Sequence, residues 1–230
     1  MKSSIIKYLK QIKYFKLMII FIVVIFSISL GAINKNASII EGINSVLSYN
    51  LIICIVLSIF MSNILFLNKN LFNNYSYILR FKDKNRVLNN NISMSYLINL
   101  GFYLAIVTVI VIASFIRVIN KTVEVMPLLH LLLYIMRYFS LIFLLSNIVN
   151  YLYLLKNKKI TIIYYLILIV ILITNFLIPI PDYINIFYYL YNGAFFNSLF
   201  LEFIFSLGII SVYYSINLIV RKLCIKYGGE

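Results

Sequence analysis

Six stretches of this chain are apolar for the length of a bilayer, and its polar residues collect between them. The runs are Leu17 to Ile33, Ile43 to Leu67, Ile92 to Ile116, Leu128 to Leu155, Ile160 to Ile180 and Ser198 to Val220. A hydrocarbon core about 30 Å thick takes about 20 apolar residues per helical crossing, within a range of roughly 17–25. The pattern therefore predicts an all-α polytopic membrane protein with six transmembrane helices, forming a single domain over residues 1–230. The first run follows Lys2, Lys7, Lys10, Lys13 and Lys16 and has the outline of a signal peptide. Its apolar region is long, no Ala-x-Ala site follows, and five further runs come after, so a retained helix is expected.

Lysine and arginine set the orientation, because their bias in short loops places the richer side in the cytoplasm. The amino end carries five, the 68–91 connection five, the 156–159 connection three and the carboxyl end three, which makes sixteen on one side. The 34–42, 117–127 and 181–197 connections carry three between them. Both termini are thus expected in the cytoplasm.

Composition agrees with this plan. The chain is 63% hydrophobic and 11% charged, too apolar for the surface of a soluble domain. Its net charge of +14 would point to nucleic acid in a soluble protein. Here the positive-inside distribution accounts for it, so no nucleic-acid partner is expected. Cys54 lies in an apolar run and Cys224 in a basic tail, which argues against a disulfide or metal pair.

Several segments carry more than a span requires. Ile5, Tyr8, Leu9, Ile12 and Phe15 recur at helical spacing opposite Lys7, Lys10 and Lys13. That pattern fits an amphipathic amino-terminal helix in the membrane interface, or a plain basic flank. The 68–91 connection interleaves aromatic and charged residues, among them Tyr75, Leu79, Arg80, Phe81, Lys82, Asp83, Lys84 and Arg86. Such residues suit a short helix docking on a cytoplasmic partner, the alternative being an ordinary loop. Residues 179–197 fall outside by charge yet are rich in Ile, Phe and Tyr. They fit an outer-leaflet hairpin between helices five and six, buried in protein at that depth, or an aromatic belt.

Two charges fall inside spans, Arg137 in the fourth and Glu202 in the sixth, and His130 lies seven residues before Arg137 on the same helical face. A charge at mid-bilayer costs a few kcal/mol or more and turns towards protein. Glu202 is the natural partner for Arg137, in a structural pair or in substrate passage. Ser27 and Gly31 in the first span, with Gly208, Ser211 and Ser215 in the last, are small enough for close helix approach. Packing within the chain is the commoner use of such residues, contact with a second subunit the alternative.

Catalytic patterns are absent. The six acidic residues are scattered, His130 is the single histidine, and no His-x-x-x-His, Gly-x-Ser-x-Gly, Asp-x-x-Asp or P-loop pattern occurs. No enzyme activity and no cofactor in this chain are expected.

Taken together, the six spans, the basic amphipathic start, the long second cytoplasmic segment and the apolar outer hairpin resemble an ABC-2 type permease. The similarity is to the short permeases of bacteriocin, lantibiotic and other antimicrobial-peptide export and immunity systems in low-GC Gram-positive bacteria. Arg80-Phe81-Lys82-Asp83-Lys84-Asn85-Arg86 resembles the Arg-x-Lys-Ser-Arg-Lys-like stretch before the third span of such permeases, departing from it at Asp83 and Asn85. The resemblance implies a subunit of the bacterial cytoplasmic membrane paired with a second permease, identical or sister. It also implies a separate ABC ATPase that binds ATP and Mg. The 71–88 segment would be the coupling helix, spans one, two and five would border the path, and an amphipathic peptide or lipid-like substrate would move outward. Two other readings stay open. One is a stand-alone immunity protein that binds a toxin in the membrane; the other is the substrate-binding subunit of an energy-coupling-factor importer, disfavoured because Ala32 is alone where that family has an Ala-rich first helix.

Overall fold

The computed structural model describes residues 12–72, 84–119, 123–155, 158–177 and 187–227, and among these the regular structure is entirely helical. In chain order the helices are α1 (Ile12–Ala32), α2 (Ile39–Leu47), α3 (Asn50–Phe72), α4 (Lys84–Arg117), α5 (Val125–Leu152), α6 (Lys158–Leu177), the single turn α7 (Tyr188–Tyr191) and α8 (Leu199–Tyr227). A 3-10 turn, Tyr153–Leu155, extends α5. Four of them, α3, α4, α5 and α8, are long and apolar enough to cross a membrane. Shorter apolar stretches occur in α1 (Ile19–Ala32) and α6 (Lys159–Thr174). The outward faces are apolar too: Phe200 is 70%, Met136 66% and Ile116 64% exposed. Large apolar residues standing out along several helices at once need a solvent other than water.

Two of the differences between the helix boundaries and the apolar runs bear on the packing. The run Ile43 to Leu67 is not one helix, because α2 ends at Leu47 and α3 begins only at Asn50. Ser48 marks the break: its hydroxyl donates to the carbonyls of Asn44 and Ser45, and a serine that bonds locally in this way competes with helix continuation. The start of α2 is fixed by a capping box. The Ser38 hydroxyl accepts from the Glu41 amide at 3.2 Å while the Glu41 carboxylate accepts from the Ser38 amide at 2.8 Å.

The second difference concerns the 68–91 connection. Helix α3 runs on to Phe72, and α4 starts back at Lys84. This early start is packed: Val87, Leu88 and Asn91 are buried, and Leu88 joins Tyr151 and Cys224 in a small apolar cluster.

Helix α5 is the hub of the bundle, packing most extensively on α8 and next on α3, with α4, α6, α2 and α7 also in contact. Its inward face is aromatic. Phe139 meets Phe60 of α3 edge-on at 5.7 Å and Tyr103 of α4 at 5.2 Å, and Tyr103 stacks on Tyr138 at 5.9 Å. The phenols at this depth need partners. Tyr103 donates to the Ile135 carbonyl at 2.9 Å and Tyr164 of α6 to the Leu145 carbonyl at 2.7 Å, which ties α4 and α6 to α5.

Residues 33–38, 118–119, 123–124 and 192–198 gather at one end of the bundle. The Ile119 amide donates to the Lys35 carbonyl at 3.1 Å, and Gly193 lies so near Asn44 that a Cβ there would stand 3.0 Å from its Nδ2.

Candidate functional site

A buried ion pair holds the segment before α8. Arg137, two-fifths of the way along α5, and Glu202, in the first turn of α8, are both fully buried, with Nη1 to Oε1 at 2.5 Å. Neither charge relies on the other alone. Nη2 of Arg137 donates to the Asn192 carbonyl at 2.7 Å, and its guanidinium lies over the Phe195 ring at 4.9 Å and the Tyr134 ring at 5.5 Å. Oε2 of Glu202 accepts from the Phe195 and Phe196 amides at 2.9 and 3.1 Å. The positive end of the α8 dipole adds to its stabilisation. Tyr134 donates to the Leu190 carbonyl at 2.5 Å, and Phe187 and Leu190 are fully buried. Together these contacts draw residues 187–197 into the bundle, as expected of an apolar segment that must be covered by protein. One helical turn, α7, is described there; residues 178–186, the first half of the expected hairpin, lie outside the described ones.

The pair is an anchor for backbone and is sealed from solvent, which favours the structural role weighed for it over contact with a substrate. His130 does not join it. It is part-exposed and lines a depression of about 470 Å³ with Glu41, Asn44, Glu124 and Gly193, where the three connections meet.

A cavity of about 640 Å³ lies on the flank between α1, α3 and α6, within the size range of small-molecule sites. Phe21 of α1, Met61 and Leu65 of α3 and Ile162 of α6 form its apolar wall. A hydroxyl collar comes from Ser58, Ser62, Thr161 and Tyr165, with Ser58 Oγ and Tyr165 Oη 2.6 Å apart. Lys69, in the last turn of α3, stands at the end away from the ion pair, beside Tyr153. A wall that is mainly hydrocarbon, with a few hydroxyls and one cation at its edge, suits an amphipathic molecule. Sequence reasoning singled out none of these residues, since scattered serines and tyrosines in apolar helices give no distinguishing pattern.

The small residues are placed differently from the commoner expectation. Ser27, Gly31, Gly208, Ser211 and Ser215 are all exposed, and a Cβ on Gly31 or Gly208 would meet nothing within 4 Å. They do not pack within the chain; the three hydroxyls turn back on their own helices, to the carbonyls four residues earlier. Ser211 and Ser215 border a shallow groove of about 410 Å³ with Tyr96, Ser140 and Tyr214.

Of the 68–91 candidates, Tyr75, Leu79, Arg80, Phe81, Lys82 and Asp83 lie outside the described residues. Lys84 and Arg86 belong to the first turn of α4, with Arg86 exposed. The amino-terminal residues 1–11 are likewise outside. Among the described residues no group of three or more His, Cys, Asp or Glu is placed to hold a metal ion. No family model, curated protein or solved structure matches this chain.

Proposed function

We propose that the chain is the membrane permease subunit of an ATP-driven ABC-2 type exporter, crossing the bacterial cytoplasmic membrane six times with both ends inside. It works with a second permease subunit and with a separate ATPase that binds ATP and Mg, and it moves an amphipathic peptide or lipid-like substrate outward. The observation that carries this reading is the flank cavity. Its walls come from α1, α3 and α6, which correspond to apolar runs one, two and five, the three that the resemblance implies border the path. A laterally placed cavity with apolar walls and a hydroxyl collar admits cargo from the lipid without stripping it of an apolar surrounding. The long α3 and α4 lead into the 73–83 segment, so a push delivered there by an ATPase would be carried along both helices into the bundle.

The test is co-purification from the native operon. Combined charge reversal, Arg80→Glu, Lys82→Glu and Arg86→Glu, is expected to release the ATPase while the chain still inserts in the membrane at unchanged level. An ATPase that stays bound undiminished removes the coupling assignment, and an operon yielding no ATPase at all removes the exporter.

A further inference from the structure

The interface of α3 with α4 carries a ladder of side-chain amides where membrane helices usually meet through apolar or small residues. Asn91, Ser95 and Asn99 recur every fourth residue of α4, one above another over roughly 12 Å at 1.5 Å per residue. Asn68 and Asn63 face them from α3. Nδ2 of Asn91 donates to Oδ1 of Asn68 at 3.3 Å, and Nδ2 of Asn63 to Oδ1 of Asn99 at 2.8 Å. All five side chains are buried, and Phe66, Leu67, Met94 and Ile98 form an apolar cluster on the same pair of helices.

Four polar atoms of the ladder lie outside these two bonds. Nδ2 of Asn68, Oδ1 of Asn91, Oγ of Ser95 and Nδ2 of Asn99 have no hydrogen-bond partner among the described residues. The balance does not depend on which way the amides are turned, since exchanging O and N in both Asn68 and Asn91 still leaves one donor and one acceptor between them. Buried polar groups are satisfied by protein or by ordered water. A bare cation requires acceptors and an anion requires donors, whereas this interface offers both within one ladder. Water both gives and accepts, and it is small enough for a helix interface.

We infer that the α3–α4 interface is an internal hydration site, in which water molecules bridge Asn68, Asn91, Ser95 and Asn99. Amides that share their partners with water exchange them readily, so α3 and α4 shift along one another without stranding a polar group in hydrocarbon. The hydration rests on the amide geometry alone. Its use as a slip plane at the root of the 73–83 segment rests on the permease reading above.

Radiolytic hydroxyl-radical footprinting of the full chain in nanodiscs tests the site, because the radicals form from water where it lies. Met94, next to Ser95 and 3% exposed, is compared with Met136, 66% exposed on the outward face of α5. Hydration predicts that Met94 is oxidised several-fold faster than Met136. The double substitution Asn91→Leu and Asn99→Leu should bring it down to the Met136 rate, and Ser95→Ala, a milder change that keeps the helix interface packed, should lower it in part. Met94 labelling as slow as that of Met136, or unchanged by both variants, overturns the inference. A dry interface with the ATPase still bound removes the hydration and not the exporter; a wet interface with no ATPase does the reverse.

Discussion

Replacing Glu202 by Leu strands the Arg137 guanidinium inside the bundle and frees the Phe195 and Phe196 amides that the carboxylate now accepts. Breaking a buried ion pair by removing one partner costs about 3–5 kcal/mol, because the survivor keeps its desolvation penalty and loses its compensation. Part of the penalty is offset by the Asn192 carbonyl and the Phe195 ring, which stay within reach of Arg137, so the lower half of that range applies. At roughly 2–4 °C per kcal/mol for a chain of this size, the thermal midpoint should fall by about 6–16 °C. Arg137→Met should do comparable damage. The double variant, with both charges gone, should be no less stable than either single one, a coupling of about 3 kcal/mol or more. The native thiols provide the assay: Cys224 is buried and Cys54 part-buried, both are free, and a thiol-reactive fluorophore reports their exposure on heating in detergent. If the double variant loses the sum of the two single losses, the charges do not act as a unit and the anchoring role assigned to them fails.

Other outcomes follow from separate contacts. Tyr134→Phe removes the bond to the Leu190 carbonyl and should cost about 1 kcal/mol, with faster hydrogen exchange confined to the 187–197 peptide; slower or unchanged exchange there contradicts the anchorage. Ser38→Ala breaks the capping box and should lower stability by about 1 kcal/mol, whereas Ser38→Asp should largely keep it, as read from the same thermal midpoints. Gly193→Ala pushes a methyl to 3.0 Å from the Asn44 amide and should destabilise the end where the connections meet, and Asn44→Ala should relieve the effect in the double variant.

The apolar runs revealed the helices but not their ends. Arg137 and Glu202 could be matched from sequence because an isolated charge in each of two apolar helices leaves few candidate partners. The backbone atoms that complete their coordination, in residues 192–196, carry no sequence signal, since a carbonyl or amide looks alike in every residue. The hydropathy of Ile43 to Leu67 hid the break at Ser48, and the Ser38–Glu41 box that opens α2 fell within a connection between runs. Asn89, Asn90 and Asn91 read as loop for the opposite reason. Asparagine is a poor helix former on its own, and it became helical here because Asn91 finds an amide on α3 while Val87 and Leu88 are buried beside it. The flank cavity had no linear trace at all, being assembled from three helices distant in sequence.

The grip on residues 192–196 reaches their main chain through the Asn192 carbonyl and the Phe195 and Phe196 amides, groups that every residue but proline supplies. Exposed side chains there, such as Ala194, are therefore open to replacement without loosening its attachment, whereas Gly193 abuts Asn44 and the Phe195 ring lies against the Arg137 guanidinium. Such positions can change while the scaffold stays the same, much as a mount holds interchangeable fittings.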